Sequence, residues 1–307
     1  MISYLGQLVA SLVLLLILSL ADCYEASSQH TVGKHIFVPL WRGSNSNHSR
    51  SLLASATLTV GGSIRETGYF YATILLGTPA HPYDLILDTG STVTYIPCSD
   101  CGSSCGTHTD PYYDADASST YSFIGCQDAK CYTHGCSTDS CYYTRSYAEH
   151  SSSAGRLLQD NIHLASPVGS QPIVFGCEMR ETGEIYRQAA DGLMGLGQAA
   201  VSVVTQLANS WAIDDGFALC FGSVEGGGAL ILGLPDFSAM TGIPELKYTS
   251  LTSSSRHPSY YIVTLEEASV NGRTLSSQAG FSLRTTFARG YGTVLDSDFQ
   301  IDGVKPG

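Results

Sequence analysis

Two short apolar runs each end in an aspartate followed by a small hydroxyl residue. Leu85-Ile86-Leu87 leads into Asp88-Thr89-Gly90-Ser91, and Val294-Leu295 leads into Asp296-Ser297 much later in the chain. A loop of this kind uses the hydroxyl to lock itself and a glycine to let another backbone approach closely. Two carboxylates brought together by such loops share one proton, because charges about 3 Å apart cannot both ionise. The ionised member can take a proton from water while the protonated member polarises a carbonyl. Such a pair needs no metal and no organic cofactor. It does require both strands to end at one cleft, which calls for a β-rich chain folded as two lobes.

Composition agrees. Of 307 residues, 43% are hydrophobic and 14% charged, with 18 Tyr and 32 Gly, as expected of a β-rich globular protein. The 15 Lys and Arg against 27 Asp and Glu leave a net charge of -12, which argues against nucleic acid and anionic membranes as partners. Residues 1–21 combine a polar start, an apolar run from Leu8 to Leu20 and small residues at Ser19 and Ala21, as a cleavable signal peptide does. A retained signal anchor is the alternative for that segment, and no later segment is long and apolar enough to span a bilayer. Residues 22–66 are polar and Ser-rich, with a glycosylation sequon at Asn47. They read as a pro-segment or flexible lead-in, with ordered structure beginning near Gly68.

Seven of the 10 cysteines crowd together: Cys98, Cys101, Cys105, Cys126, Cys131, Cys136 and Cys141. Zinc held by these thiols, with His108 and His134 nearby, is one reading; disulfides in a secretory compartment are the favoured one. Cys177 and Cys220 stand apart and are candidates to pair with each other, although connectivity is not legible from spacing.

Tyr69 to Leu76 has strand composition, Gly77-Thr78-Pro79 breaks it, and Tyr83 to Leu87 resumes it. Val203, Val204 and Leu207 recur at helical spacing, predicting a helix from Ser202 to Asn209. Gly226-Gly227-Gly228 lacks any phosphate-binding continuation and reads as a turn between strands. Tyr260 to Leu265 echoes Tyr69 to Leu75, and Asn271-Gly272 marks a hairpin.

Other segments supply a family resemblance. Tyr147-Ala148-Glu149-His150 through Gly155 resembles the flap hairpin of pepsin-like proteases. Phe175-Gly176-Cys177 and Asp191-Gly192-Leu193-Met194-Gly195 resemble the strand and the crossing element behind the first catalytic loop. With Gly233-Leu234-Pro235-Asp236 and Tyr260-Tyr261, these identify the chain as similar to pepsin-type aspartic proteases, in the plant and algal secreted branch with a Cys-rich insert. The resemblance implies an all-β, bilobal fold, with an N-terminal catalytic lobe over 67–222 and a partial C-terminal lobe over 223–307. It makes Asp88 and Asp296 the catalytic carboxylates, supported by Thr89, Gly90, Ser91 and Ser297. Tyr147 becomes the flap tyrosine, touching Tyr95 where many relatives carry Trp, and Asp191 a structural residue. A Tyr at 147 that merely packs is the plainer alternative.

The resemblance stops after Ser297. Asp298 stands where a Gly is expected, and only 11 residues follow Asp296. On sequence grounds the second lobe is therefore expected to be incomplete, the apolar run from Tyr260 partly exposed, and proteolysis weak or absent. The expected function is that of an aspartic endopeptidase acting on polypeptides, as a monomer, in an extracellular or vacuolar compartment. The rival is a non-catalytic relative that binds and inhibits other extracellular enzymes.

Overall fold

The computed structural model describes residues 36–41, 54–133, 135–223, 226–234, 248–252, 257–264, 269–270, 273–274 and 293–297. The signal segment, Asn47, His134 and Asp298 lie outside them. The sheet begins earlier than Gly68. Strand β1 (Ile36–Trp41) pairs antiparallel with β12 (Gly216–Ser223), and β2 (Ala56–Ser63) pairs with both β3 (Tyr69–Leu76) and β13 (Gly226–Leu232). Along β2 only Ala56, Val60 and Ser63 are buried, so hydrogen bonding along both edges holds it where a side-chain stripe does not.

Strand β3 turns back into β4 (His81–Asp88), with Leu76 opposite His81 and Gly77 supplying a left-handed φ of 87°. Strand β4 is buried on both faces. Leu85 and Leu87 point into one apolar cluster and Ile86 into another, which is why its sequence is continuously apolar. Beside it, in parallel, runs β11 (Leu193–Gly195), with Gly195 opposite Asp88. A Cβ on Gly195 would stand 2.4 Å from the Thr92 carbonyl carbon, so the crossing element can come this close only as glycine. Strand β5 (Tyr95–Pro97) then lies parallel to β10 (Ser170–Thr182).

The Cys-rich insert carries the short strands β6 (Ser122–Phe123) and β7 (Gly135–Ser137). It leads into a hairpin of β8 (Ser140–Ser146) and β9 (Ser152–His163), and β9 pairs along its length with β10. All of these strands belong to one 13-stranded sheet. One core cluster lies between Phe70, Leu85, Leu87, Met194, Phe217 and Leu230. The other gathers Ile86, Val93, Tyr95, Tyr143, Leu157 and Leu193 beneath the β8–β9 hairpin. A helix over Val203–Asn209 follows Ser202 as expected and buries Val203, Val204 and Leu207.

Four disulfides join Cys98 to Cys177, Cys101 to Cys105, Cys126 to Cys136 and Cys131 to Cys141. They account for all seven crowded cysteines and exclude a thiolate zinc cluster there. The Cys177–Cys220 pairing is corrected: β5 and β10 run in parallel register, Ile96 opposite Cys177, so Cys98 arrives beside Cys177 with 5.3 Å between Cα atoms. Cys220 is disulfide-bonded too, on β12.

Two further expectations change. Gly226-Gly227-Gly228 opens β13 and is not itself the connection between strands. A Cβ on Gly228 would stand 2.0 Å from the Cys220 carbonyl oxygen. Tyr261, Ile262 and Val263 are buried, at 7%, 3% and 6% exposure, where partial exposure was expected. Tyr261 packs edge-on against Phe217 and donates to the Leu196 carbonyl at 2.9 Å, so this segment joins the apolar cluster that holds Leu85, Leu87 and Met194. Strand β14 (Ile262–Val263) pairs antiparallel with β17 (Thr293–Val294). Between them β15 (Ser269–Val270) and β16 (Arg273–Thr274) pair on either side of Asn271-Gly272, as the hairpin signal predicted.

Candidate active site

Strand β4 delivers Asp88 to the end of the sheet, 4% exposed, with its Oδ1 accepting the Gly90 N–H at 2.7 Å. The 293–297 segment reaches the same point. A Cβ on Gly90 would stand 2.7 Å from Asp296 Oδ2 and 3.0 Å from Oδ1 and Cγ, so the Asp296 carboxyl rests against the bare Cα of Gly90. Asp296 itself is exposed.

Reciprocal hydrogen bonds fix the two loops to each other. Thr89 Oγ1 donates to the Leu295 carbonyl at 2.8 Å and accepts the Ser297 N–H at 2.9 Å. Ser297 Oγ accepts the Thr89 N–H at 2.9 Å and donates to the Leu87 carbonyl at 2.6 Å. Each hydroxyl thus bridges a donor and an acceptor of the opposite loop. Hydroxyl residues after each aspartate are needed for this, since no apolar side chain can do both. Behind the loop, the Leu196 N–H donates to the Asp88 carbonyl at 2.8 Å and the Gly197 N–H to the Ser91 carbonyl at 2.7 Å.

Burial, with the Asp296 charge second, pushes the Asp88 carboxyl up to about 7, against the opposing pull of the Ser91 hydroxyl and of the Gly90 and Ser91 N–H groups. A buried acid that keeps its proton therefore faces a more exposed one. That asymmetry lets two like carboxyl groups take different roles.

The family profile described as "Xylanase inhibitor N-terminal" matches residues 70–234. Aspartic proteinase 39 of Arabidopsis thaliana is 33% identical over 272 residues, covering 81% of this chain and 54% of that protein. The chain belongs to the plant pepsin-like aspartic protease family. Aspartic proteinase nepenthesin-1 of Nepenthes gracilis is 29% identical over 236 residues, covering 75% of this chain and 51% of that protein. The chain spans about half the length of the curated relatives it matches. Among solved structures, Basic 7S globulin from soybean shares the fold with a TM-score of 0.56 at 20% identity, covering 72% of this chain and 60% of that one.

In this member of the aspartic protease family, the β8–β9 hairpin turns at Tyr147–Ser151, closed by the Tyr147 N–H donating to the Ser151 carbonyl at 2.9 Å. Tyr147 Oη donates to Tyr95 Oη at 3.0 Å, the contact expected from the sequence. Tyr95 is fully buried and stacks on Tyr143 at 6.0 Å between ring centroids, and burial drives its hydroxyl well above the usual phenol range. So the hydroxyl that accepts the Tyr147 hydrogen bond is buried and uncharged. Sequence reasoning missed Arg145, whose Nη2 donates to Thr92 Oγ1 at 3.2 Å and ties the hairpin to the Asp88 loop. Nothing in its local sequence marks that role, because the partners are 53 residues apart.

Asp191 is structural, as read. Its two oxygens accept the Asp84 and Asp110 N–H groups, each at 2.7 Å, and it is 2% exposed. Among the described residues no helix is long and apolar enough to cross a membrane.

Proposed function

We propose that the chain acts as an aspartic endopeptidase, with Asp88 and Asp296 as the reacting pair. The observation that carries this reading is the approach of Asp296 to the bare Cα of Gly90 within the reciprocal Thr89–Ser297 lock. Asp296, the more exposed carboxylate, takes a proton from water. Asp88 gives its proton to the carbonyl oxygen of a peptide as the water oxygen bonds to the carbonyl carbon. The resulting diol collapses when the amine nitrogen is protonated and leaves. Tyr147, held by Tyr95, covers the peptide. Substrates are polypeptides, the protein acts as a monomer, and the four disulfides fit a secretory, extracellular or vacuolar setting.

A second reading, a non-catalytic binding protein that inhibits another extracellular enzyme, draws support from the inhibitor named in the matching profile and from Asp298 in the expected glycine position. Cleavage of a quenched peptide library at pH 3 to 6, with and without pepstatin, separates the two. Pepstatin-sensitive turnover that disappears in Asp88→Asn supports the peptidase. A folded, monodisperse chain without turnover rules it out in favour of the binder.

A further inference from the structure

Strand β4 lines a cavity at the end away from Asp88, and peptide cleavage makes no use of it. Tyr83 lies on that strand five residues before Asp88, roughly 16 Å away along an extended chain. The cavity has a volume of about 250 Å³ and opens between the 77–82 stretch and the 110–118 segment. Tyr83, Tyr112 and Tyr113 wall it together with Pro82 and Pro111, and Asp110 and Asp114 supply its carboxylates. It reaches into the buried part of the lobe, since Leu76, Tyr113 and Tyr83, which line it, are 0%, 2% and 4% exposed.

The three tyrosines differ in what their hydroxyls do. Tyr112 Oη donates to the Cys105 carbonyl at 2.9 Å, and Tyr113 Oη donates to Asp160. The Tyr83 hydroxyl has no hydrogen-bond partner among the described residues, although its side chain is buried. A buried phenol left unpaired is costly unless something in the cavity bonds to it. Burial, then the charges of Asp191, Asp110 and Asp114, pushes that hydroxyl up to about 12, so it stays protonated and neutral. Neither Asp110 nor Asp114 takes part in a salt bridge among the described residues. No Lys or Arg lines the cavity, and His81 is its only basic side chain. Two carboxylates and an unpaired hydroxyl thus share an apolar-walled space that holds no fixed cation of its own.

We propose that this cavity binds an alkylammonium group, carried by a small free amine or by a lysine side chain. An ammonium has three donors and no acceptor, which suits two carboxylates and the oxygen of a neutral phenol. Its alkyl stem finds apolar cover on Leu76, Pro82 and Pro111. Other ligand classes answer the cavity less well. A neutral alcohol satisfies Tyr83 and leaves both carboxylates without a counter-charge, and an anion is repelled by them. The net charge of -12 draws cations toward this surface from a distance. Asp191 also gains a purpose here. By accepting the Asp110 N–H at 2.7 Å, it fixes the backbone that carries one of the two carboxylates.

The full-length chain, carrying ring-¹³C tyrosine and shown folded by circular dichroism, is titrated at pH 7.5 and followed by NMR. The probes are n-butylammonium chloride, Nα-acetyl-lysine methylamide and n-butanol, and the Tyr83 resonance is assigned by its loss in Tyr83→Phe. Tyr83 should shift saturably with n-butylammonium, with a Kd of about 1 mM, a scale open to so small a ligand. The alcohol should give no saturable shift. Asp110→Asn combined with Asp114→Asn should weaken amine binding at least about tenfold. Tyr83→Phe, followed through the Tyr112 and Tyr113 resonances, should weaken it about three- to tenfold and leave Tm unchanged, since that hydroxyl has no partner to lose. A matching shift from the lysine derivative supports the proposal with a polypeptide as a source, and a shift from n-butylammonium alone supports it with free amines as the source. A folded chain in which neither amine shifts Tyr83 overturns the proposal. So does n-butanol that binds as tightly as the amine, or a folded Asp110→Asn, Asp114→Asn variant that binds as wild type does.

Discussion

Replacing Thr89 by Val tests the lock between the two aspartate loops. The substitution preserves shape but removes the hydroxyl that donates to the Leu295 carbonyl and accepts the Ser297 N–H. Thr89 is 2% exposed, while Leu295 and Ser297 are only half-buried, so water can reach the freed groups in part. A stranded polar group of this kind costs about 1–1.5 kcal/mol, the low end of the usual range, and two together about 2–3 kcal/mol. At 1.4 kcal/mol per tenfold, the 293–297 segment should open roughly 30- to 140-fold more often. Hydrogen exchange of the Ser297 amide, read by NMR or mass spectrometry, measures that opening directly. Thr89→Ser keeps the hydroxyl and should exchange as wild type does. A Ser297 amide in Thr89→Val that exchanges within threefold of wild type would refute the reasoning, because the lock would then contribute nothing.

Gly90→Ala should leave thermal stability nearly unchanged and remove pepstatin-sensitive turnover, since its Cβ would stand 2.7 Å from Asp296 Oδ2 and push that carboxyl away; a variant with wild-type kcat/KM would contradict the geometry. The pH dependence of stability follows from Asp88. Folded, it holds its proton up to about 7 against an ordinary value of 3.8, so across that window the native state binds more protons than the unfolded chain. Stability should therefore fall as pH rises through that window. Asp88→Asn should flatten the fall in urea midpoints, and an equally steep fall in the variant would count against Asp88 as its source. The disulfides should differ in weight. Removing Cys98–Cys177, which spans 79 residues, should lower stability by about 4–5 kcal/mol, against about 2 kcal/mol for Cys101–Cys105, which spans 4. Equal losses in denaturant melts would show that loop length is not what matters.

Local chemistry was legible where it is written in adjacent residues. The β4 strand reads as buried on both faces because its apolar residues are continuous, and Asp88-Thr89-Gly90 follows it directly. The helix over Val203–Asn209 reads from three spaced apolar residues. Strand β2 was hidden because most of its side chains are not buried, so neighbours on both edges recruit it through the backbone. The triple glycine misled for a related reason. It signals freedom of φ, which a turn uses, but here φ values of 106°, 85° and 138° let β13 approach β2 and β12 closely. Cys98 and Cys177 meet through a parallel register that no spacing rule contains. Tyr83 and Asp110 likewise reach one cavity by topology alone, so neither residue carries a signal in its own neighbourhood.

The Thr89–Ser297 bonds span 208 residues. At roughly 5–20 residues per second, a ribosome takes about 10–40 s to pass from one to the other. Throughout that interval Asp88 is already made, while the loop that must lock beside it does not yet exist. The cleft is therefore assembled by the latest-arriving stretch of the described chain. Until then a nascent polypeptide carries Asp88 without the loop that fixes it, so the order of synthesis alone delays completion of the candidate site until almost all of the described chain has been made.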